Sequence, residues 1–529
     1  MARVLMRTAP FKKGSWMQRE IDVLADENRH EVGGRLVNSA AVLWATTAFS
    51  RAAQLISTAI LARMLTPDDY GIIALATAVV GFINILADFQ VAGAIIKSQN
   101  VTRAHLDTAF TISLIRGLIT GILLLLSSGL LAHLLGDERL KDVLCVMAVP
   151  SLLACLNNPL LSVYSKRLNF ARESKRQIVS TVIGAAVGIT AAFMLRNYWA
   201  IVLGSIASST FMLFLSYYNI PWRPRLDLSK TKEIVSFGIW LILIGALDYL
   251  NGRVDYLLIG RRLGSETLGA YHIGQQITVM TTGDCVAPLS RALFPAFSLM
   301  SNDVDRLRKA YREAQSVILA MALPIGFGMS AVARDAVYLF VGPQWEIAVN
   351  VVVYLAPLIA LQTMLAGIET VALSMDRGRD LFVRAAVFLI FRVSVLVAGF
   401  HLGGLMGIVI GRVITGSFFI LYGLHLAARI THSRMLDPIT ASWRSITSVA
   451  IMYGTLMLLP NSHFGYVGPL ALAAIFAGKI VLGASIYVIS HALLWIACGA
   501  PAGAERRIID QLGKFRRLRF RAGESCLEV

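Results

Sequence analysis

Four polar residues recur at helical spacing inside the first long apolar segment: Thr47, Arg51, Gln54 and Thr58. The intervals i, i+4, i+7 and i+11 place them on one stripe of a helix. Arg51 lies about 13 residues into the segment, close to mid-depth of a bilayer at 1.5 Å rise per residue. The second segment carries Thr77, Asn84 and Asp88 on one stripe with Gly81. The seventh aligns Asp248 with Asp255 and holds Arg253 on another face; the eighth aligns Thr281, Asp284 and Arg291. Arg116, Arg392, Arg412 and Lys479 add positive charge elsewhere. An ionisable side chain near the bilayer centre costs roughly 2.5–3.5 kcal/mol on insertion scales, so it faces protein or a wet cavity. Arginine suits a phosphate or pyrophosphate, because its planar fork donates paired hydrogen bonds and stays charged. These residues predict a hydrated, net-cationic cavity lined by spans 1, 2, 7 and 8. The competing reading is that the arginines pair with Asp88, Asp248, Asp255, Asp284 or Glu369 and lock helices together. Arg116 and Lys479 fit that second reading better, and the polar stripe around Arg51 favours the first.

Other chemistries lack their residues. There is no Walker GxxxxGK[ST] sequence and no GxSxG-like nucleophile motif. Five cysteines are scattered without CxxC spacing, and the histidines form no HExxH or HxxxH pair. We therefore expect no disulfide, metal or cofactor, and no enzyme activity.

The elements that position these charges are membrane helices. Of the 529 residues, 56% are hydrophobic and only 15% are charged, with a mean hydropathy of +0.66. A soluble domain has about 45–50% and about 25%. Runs long enough to cross a bilayer give about fourteen helices. They are 38–62, 71–96, 109–135, 143–164, 178–195, 199–219, 234–259, 268–296, 313–341, 349–373, 383–400, 404–427, 445–460 and 470–497.

The net charge of +17 invites a nucleic-acid reading. Its placement argues against one, because the basic residues sit in short loops. With a cytoplasmic N-terminus, about 35 of the 49 Lys and Arg fall in inside loops and tails, and about 6 in outside loops. An odd count would destroy this alternation, so both termini are predicted to be cytoplasmic. Residues 1–37 contain no apolar core that would make a signal peptide. Both tails have surface-helix patterns. Ser15 and Gln18 fit a capping box, and Ile508, Ile509, Leu512, Phe515 and Leu518 form an apolar stripe opposed by basic residues.

A short stretch is echoed. Residues 60–71 (ILARMLTPDDYG) match residues 258–269 (LIGRRLGSETLG), with Arg63 on Arg261, Leu65 on Leu263 and Gly71 on Gly269. Internal repeats in a membrane chain mark a two-lobed transporter. The expected organisation is an N-terminal tail (1–37), an N-lobe of six spans (38–219), a C-lobe of six spans (220–427), two further spans (428–497) and a basic tail (498–529).

Arg51, the 61–71 stretch and Ala87-Asp-Phe-Gln-Val-Ala-Gly-Ala-Ile-Ile-Lys97 together resemble the opening of bacterial polysaccharide transporters of the Wzx type. Those belong to the multidrug/oligosaccharidyl-lipid/polysaccharide flippase superfamily. Residues Asp255–Gly264 and Gly269–Tyr271 resemble the start of that family's second lobe. The resemblance implies an all-α, V-shaped membrane protein in the bacterial inner membrane. It implies flipping of undecaprenyl-pyrophosphate-linked oligosaccharide by alternating access, for exopolysaccharide, capsule or O-antigen (lipopolysaccharide) biosynthesis. On that view Arg51 and Arg253 bind the pyrophosphate, with Arg412 and Arg291 behind them. Asp88, Asp248, Asp255 and Asp284 are candidates for ion coupling or gating, with H+ or Na+ as the ion. Membrane lipids and the polysaccharide polymerase and export machinery are the candidate partners; nucleic acid is not.

Three alternatives stand beside this. An ion-coupled drug or small-molecule exporter would share the superfamily, although cationic buried charge disfavours cationic drugs. A peptidoglycan lipid-precursor flippase needs the same pyrophosphate site. A membrane glycosyltransferase or polymerase is disfavoured, because the outside loops leave no room for a catalytic domain.

Overall fold

A computed structural model gives the fold. It describes residues 32–499, apart from 89–90, 98–100, 167–169, 219, 221, 236–238, 284–303, 367, 369–371, 373–377, 432–433 and 460–467. Asp284, Arg291, Glu369 and the patterned parts of both tails lie outside the described residues.

The long helices run in the order α1 (Val32–Met64), α2 (Pro67–Leu86), α3 (Arg103–Leu135), α4 (Arg139–Cys155), α5 (Ala171–Leu195) and α6 (Trp199–Tyr217). There follow α7 (Ile239–Thr278), α8 (Val304–Ala331), α9 (Glu346–Gln362), α10 (Gly378–Thr431), α11 (Trp443–Met457) and α12 (Pro469–Ala497). Two of these are bent double. Helix α7 breaks at Gly264 (φ 85°), and α10 at Gly403 and Gly404 (φ 56°), where only glycine tolerates the positive φ without strain. The α10 break falls at the expected boundary between the eleventh and twelfth spans. Each segment expected from hydropathy overlaps a described helix.

Eight of the described helices are long and apolar enough to cross a membrane. Helices α1 and α7 are long enough but are not among them. The physical reason is composition: these two carry the polar stripes.

Local sequence sets the helix ends. Thr66 caps α2, accepting from the Asp69 amide at 3.3 Å while the Asp69 carboxylate accepts from the Thr66 amide at 3.0 Å. Pro67 occupies the first turn, where its missing N–H costs nothing. In the echoed copy Gly264 stands where Thr66 stands, so the cap is replaced by a turn.

Helices α1 to α6 pack among themselves, chiefly α1 on α5, α5 on α6, α3 on α4, and α4 on α6 and α2. Helices α7 to α10 form a second set, with α7 and α8 on α9 and α7 on α10. The sets meet where α2 lies along α7. The core at that seam includes Ile72, Leu75, Tyr256, Ile259, Leu268 and Tyr271, all buried. Helix α12 packs on α11 and on the short helix Ala333–Phe340. There Lys479 Nζ donates to Asp335 Oδ2 at 2.7 Å, a buried pair. Its outer side is apolar and open, with Val481, Val488, Leu493 and Ile496 each more than 60% exposed, as a lipid-facing surface requires.

Candidate functional site

A cavity of about 920 Å³ opens between the two sets of helices. Its first wall is α1, where the whole stripe Thr47, Arg51, Gln54 and Thr58 lines the space. Arg51 Nη1 donates to Gln54 Oε1 at 3.1 Å, which orients the fork along the helix. Thr77 of α2 also lines it, with Tyr70 and Ile73 nearer the α1–α2 turn.

The facing wall comes from both arms of α7. Arg253 and Tyr256 precede the Gly264 break, while His272, Gln275 and Gln276 follow it. The Arg253 guanidinium lies over the Tyr256 ring, 4.6 Å from its centroid. Tyr256 Oη and His272 Nδ1 share a hydrogen bond of 3.0 Å. The cavity therefore receives one arginine from each half of the chain. Glu173 stands at the rim, but Arg176 Nη2 donates to both its carboxylate oxygens at 2.6 and 2.8 Å. The net character of the lining is cationic.

Helices α5 and α6 supply a wall that charge patterning along the sequence does not mark. Ser174, Gln177, Thr181, Gly184 and Gly188 face Gly204, Ser205 and Ser208 across a close crossing. A Cβ on Gly204 would lie 2.9 Å from the Gly184 carbonyl oxygen, so the backbones touch as small-residue membrane interfaces do. Apart from Glu173 at the rim, the wall is uncharged and rich in hydroxyls. Its signal in the sequence is a Gln177, Thr181, Gly184, Gly188 stripe at intervals of four, three and four, but a stripe without charge does not stand out.

The other expected residues lie elsewhere. Asn84 Nδ2 donates to Ser151 Oγ at 3.3 Å, and Arg116 Nη1 donates to Asp88 Oδ1 at 2.7 Å, so the stripe at and just beyond the C-terminal end of α2 binds α4 and α3. Asp248 is exposed on α7. Arg412 does not line the cavity. It pairs with Asp255, which is fully buried and also lies 3.6 Å from Arg392. Tyr271 donates to the same carboxylate. Two guanidiniums around one carboxylate join α7 to both arms of α10, which is the helix-locking arrangement. Among the described residues no group of three His, Cys, Asp or Glu could hold a metal ion.

The echoed stretches meet each other. A Cβ on Gly71 would overlap the Ser265 carbonyl, and a Cβ on Gly269 would overlap the Pro67 carbonyl. Positions 67 and 71 correspond to 265 and 269 in the echo, so the contact is reciprocal. Ser265 Oγ also donates to Asp68, whose carboxylate accepts the Arg139 fork at 2.7 and 3.2 Å. Beside this crossing, Arg63 donates to the Leu339 and Phe340 carbonyls, and Trp345 Nε1 donates to the Ala62 carbonyl at 2.9 Å. The cavity is thus shut at the α1–α2 turn and extends toward Thr46 and Glu173 at the opposite end.

Long apolar helices, a seam between two helical sets and a polar cavity at that seam define an all-α multi-pass membrane transporter. The match to solved structures gives the same fold. A structure titled "Lipid II flippase MurJ, inward closed conformation" superposes with a TM-score of 0.69 at 13% identity, covering 86% of this chain and 99% of that one. The chain belongs to the polysaccharide biosynthesis protein family, whose model matches residues 60–350. Among its relatives is the teichuronic acid biosynthesis protein TuaB of Bacillus subtilis, 25% identical over 65% of this chain and 72% of that protein. Another is the lipopolysaccharide biosynthesis protein WzxC of Escherichia coli, 23% identical over 68% of this chain and 73% of that protein.

Proposed function

We propose that this protein flips lipid-linked oligosaccharide from the cytoplasmic to the outer leaflet of the bacterial inner membrane. The observation that carries the reading is the shared cavity: Arg51 from one half and Arg253 from the other, with an uncharged hydroxyl-rich wall beside them. A polyprenyl pyrophosphate presents two adjacent anionic groups that two guanidinium forks can hold. The oligosaccharide lies along the Ser, Thr and Gln side chains of α1, α5 and α6, which offer both donors and acceptors. Family membership and the names of TuaB and WzxC agree with a role in building surface polysaccharide.

In this reading all fourteen segments cross the membrane and both termini are cytoplasmic, in keeping with the distribution of Lys and Arg. The crossing of the echoed stretches closes the outer face, and the cavity faces the cytoplasm. Movement of the two halves about their seam then exposes it to the other side. The protein makes and breaks no covalent bond. H+ or Na+ coupling would need a carboxylate that changes partner, and Asp88 and Asp255 are candidates.

The test is Arg51→Ala in a strain lacking the chromosomal copy, with lipid-linked intermediates assayed by leaflet. Intermediates should accumulate on the cytoplasmic side while the variant stays in the membrane at normal level. Normal export by that variant would sink the assignment.

A further inference from the structure

The junction of α7 with α10 has one donor edge too many. Asp255 is fully buried, and its Oδ2 accepts from both Arg412 and the Tyr271 hydroxyl. Its Oδ1 accepts from the Tyr256 amide at 3.2 Å. A carboxylate oxygen offers about two lone-pair sites, so Oδ2 is full. Arg392 comes only within 3.6 Å of that oxygen, beyond hydrogen-bond range. Its Nε and Nη2 are buried and have no hydrogen-bond partner among the described residues. These two N–H groups point the same way along one edge of the guanidinium plane, an edge that can grip an anion with both donors. Arg392 is only 6% exposed. The Phe388 ring lies against it, 5.6 Å from centroid to guanidinium carbon. Leu396 and Ile408, one turn from Arg392 and Arg412 on the two arms of α10, are fully buried.

The charges do not balance either. Among the described residues, Asp255 is the acidic group that pairs with either arginine. Two guanidiniums that stay ionised thus meet one carboxylate, leaving one positive charge in an apolar surrounding. Water would satisfy the N–H groups and leave the charge in place; an anion answers both. We propose that the Nε–Nη2 edge of Arg392 is a chloride site, buried between α7 and the two arms of α10. The surroundings of a guanidinium so deeply buried favour a monatomic ion over a bulky oxyanion. With the ion bound the cluster is neutral, and both arms of α10 are held to α7 by satisfied charges. The site is distinct from the cavity, which neither Arg392 nor Arg412 lines. It goes beyond the pyrophosphate reading and does not depend on it.

The experiment uses the full chain with Arg51→Ala and Arg253→Ala, which remove the two arginines lining the cavity. Thermal unfolding in detergent is followed as chloride replaces gluconate at constant ionic strength. The midpoint should rise with the logarithm of chloride, by about 2 °C for a hundredfold rise above the dissociation constant in a chain of this length. Bromide should substitute for chloride, and sulfate should not. Arg392→Met fills similar space without charge and should abolish the response. Equilibrium binding of radioactive chloride to the parent chain should give one ion per chain. Should Arg392→Met fail to accumulate, Arg392→Lys decides, because it keeps the charge and loses the two-donor edge. It should bind chloride at least about tenfold more weakly, the effect of losing a charge-assisted hydrogen bond. An undiminished response in Arg392→Met, or equal binding in Arg392→Lys, overturns the assignment to this edge. No response and no bound chloride in the parent chain overturns the site altogether. None of these outcomes bears on Arg51 or Arg253, so the pyrophosphate reading stands or falls separately.

Discussion

Gly71→Ala acts on one conformation and spares the other. The new methyl group would overlap the Ser265 carbonyl, which is helix backbone and cannot rotate away as a side chain would. Relief requires α2 and α7 to part at their crossing. Overpacking of this kind costs about 1–3 kcal/mol. Borne only by the state in which the crossing is closed, it shifts the ratio of open to closed by about 5–150-fold. Gly269→Ala meets the Pro67 carbonyl and should behave alike. The double variant should add little more, because one separation relieves both overlaps. A cysteine at Ser57, which lines the cavity, can report the change in a chain without native cysteines. An impermeant maleimide applied to the outer face of spheroplasts should label it faster in either glycine variant. Gly121→Ala is the control, since nothing lies within 4 Å of its added carbon. Equal labelling of Gly71→Ala, Gly121→Ala and the unaltered chain would falsify the assignment of this crossing as the outer closure.

Further outcomes follow from the buried charges. Lys479→Met should lower thermal stability in detergent by about 3–5 kcal/mol, because it leaves the Asp335 carboxylate buried without its main partner. Adding Asp335→Leu to that variant should restore most of the loss, and failure to restore it would show that the pair does not act as a unit. Asp255→Ala should reduce the amount of folded protein, since it strands Arg412 and Arg392, whereas Arg253→Ala should reduce transport at unchanged protein level; quantitative immunoblots beside leaflet assays separate the two. Between the long apolar helices, Lys230 and His105 donate to the Glu233 carboxylate and hold its pKa below the usual range. A depressed folded-state pKa gives a contribution that is full above the unfolded value and is lost as pH falls through the folded one. Protection factors across residues 222–235, corrected for the intrinsic pH dependence of exchange, should therefore stay flat from neutral pH down to about 4.5 and fall only below it.

Periodicity made the cavity-facing side of α1 legible, because a polar stripe inside an apolar run cannot face lipid and must line protein or water; on α7 the Asp248–Asp255 stripe does not line the cavity, and Arg253, on the other face, does. The glycine pair at 403 and 404 likewise marked the bend of α10 through its own backbone freedom. The partner of a buried charge was not legible. Arg412 and Arg51 look alike in sequence, yet one meets Asp255 across 157 positions of chain and the other lines the cavity. That difference arises only when α7 and α10 pack. The α5–α6 wall escaped for the opposite reason: its Ser, Thr, Gln and Gly residues are those that any membrane helix crossing can use. The offset of 202 between Arg51 and Arg253, against 198 for the echo, implies a register difference of one turn, and both nonetheless line the same cavity.

The reciprocal contact at Gly71 and Gly269 gives the seam a local pseudo-twofold symmetry. Position 67 touches 269 and position 71 touches 265, so each half offers the other the same patch of surface. That is the isologous contact of two identical subunits about a twofold axis. Carried within one chain, the contact keeps this geometry while each half is free to differ from the other. Thr66 opposite Gly264, and Pro67 opposite Ser265, are differences that two identical subunits could not carry.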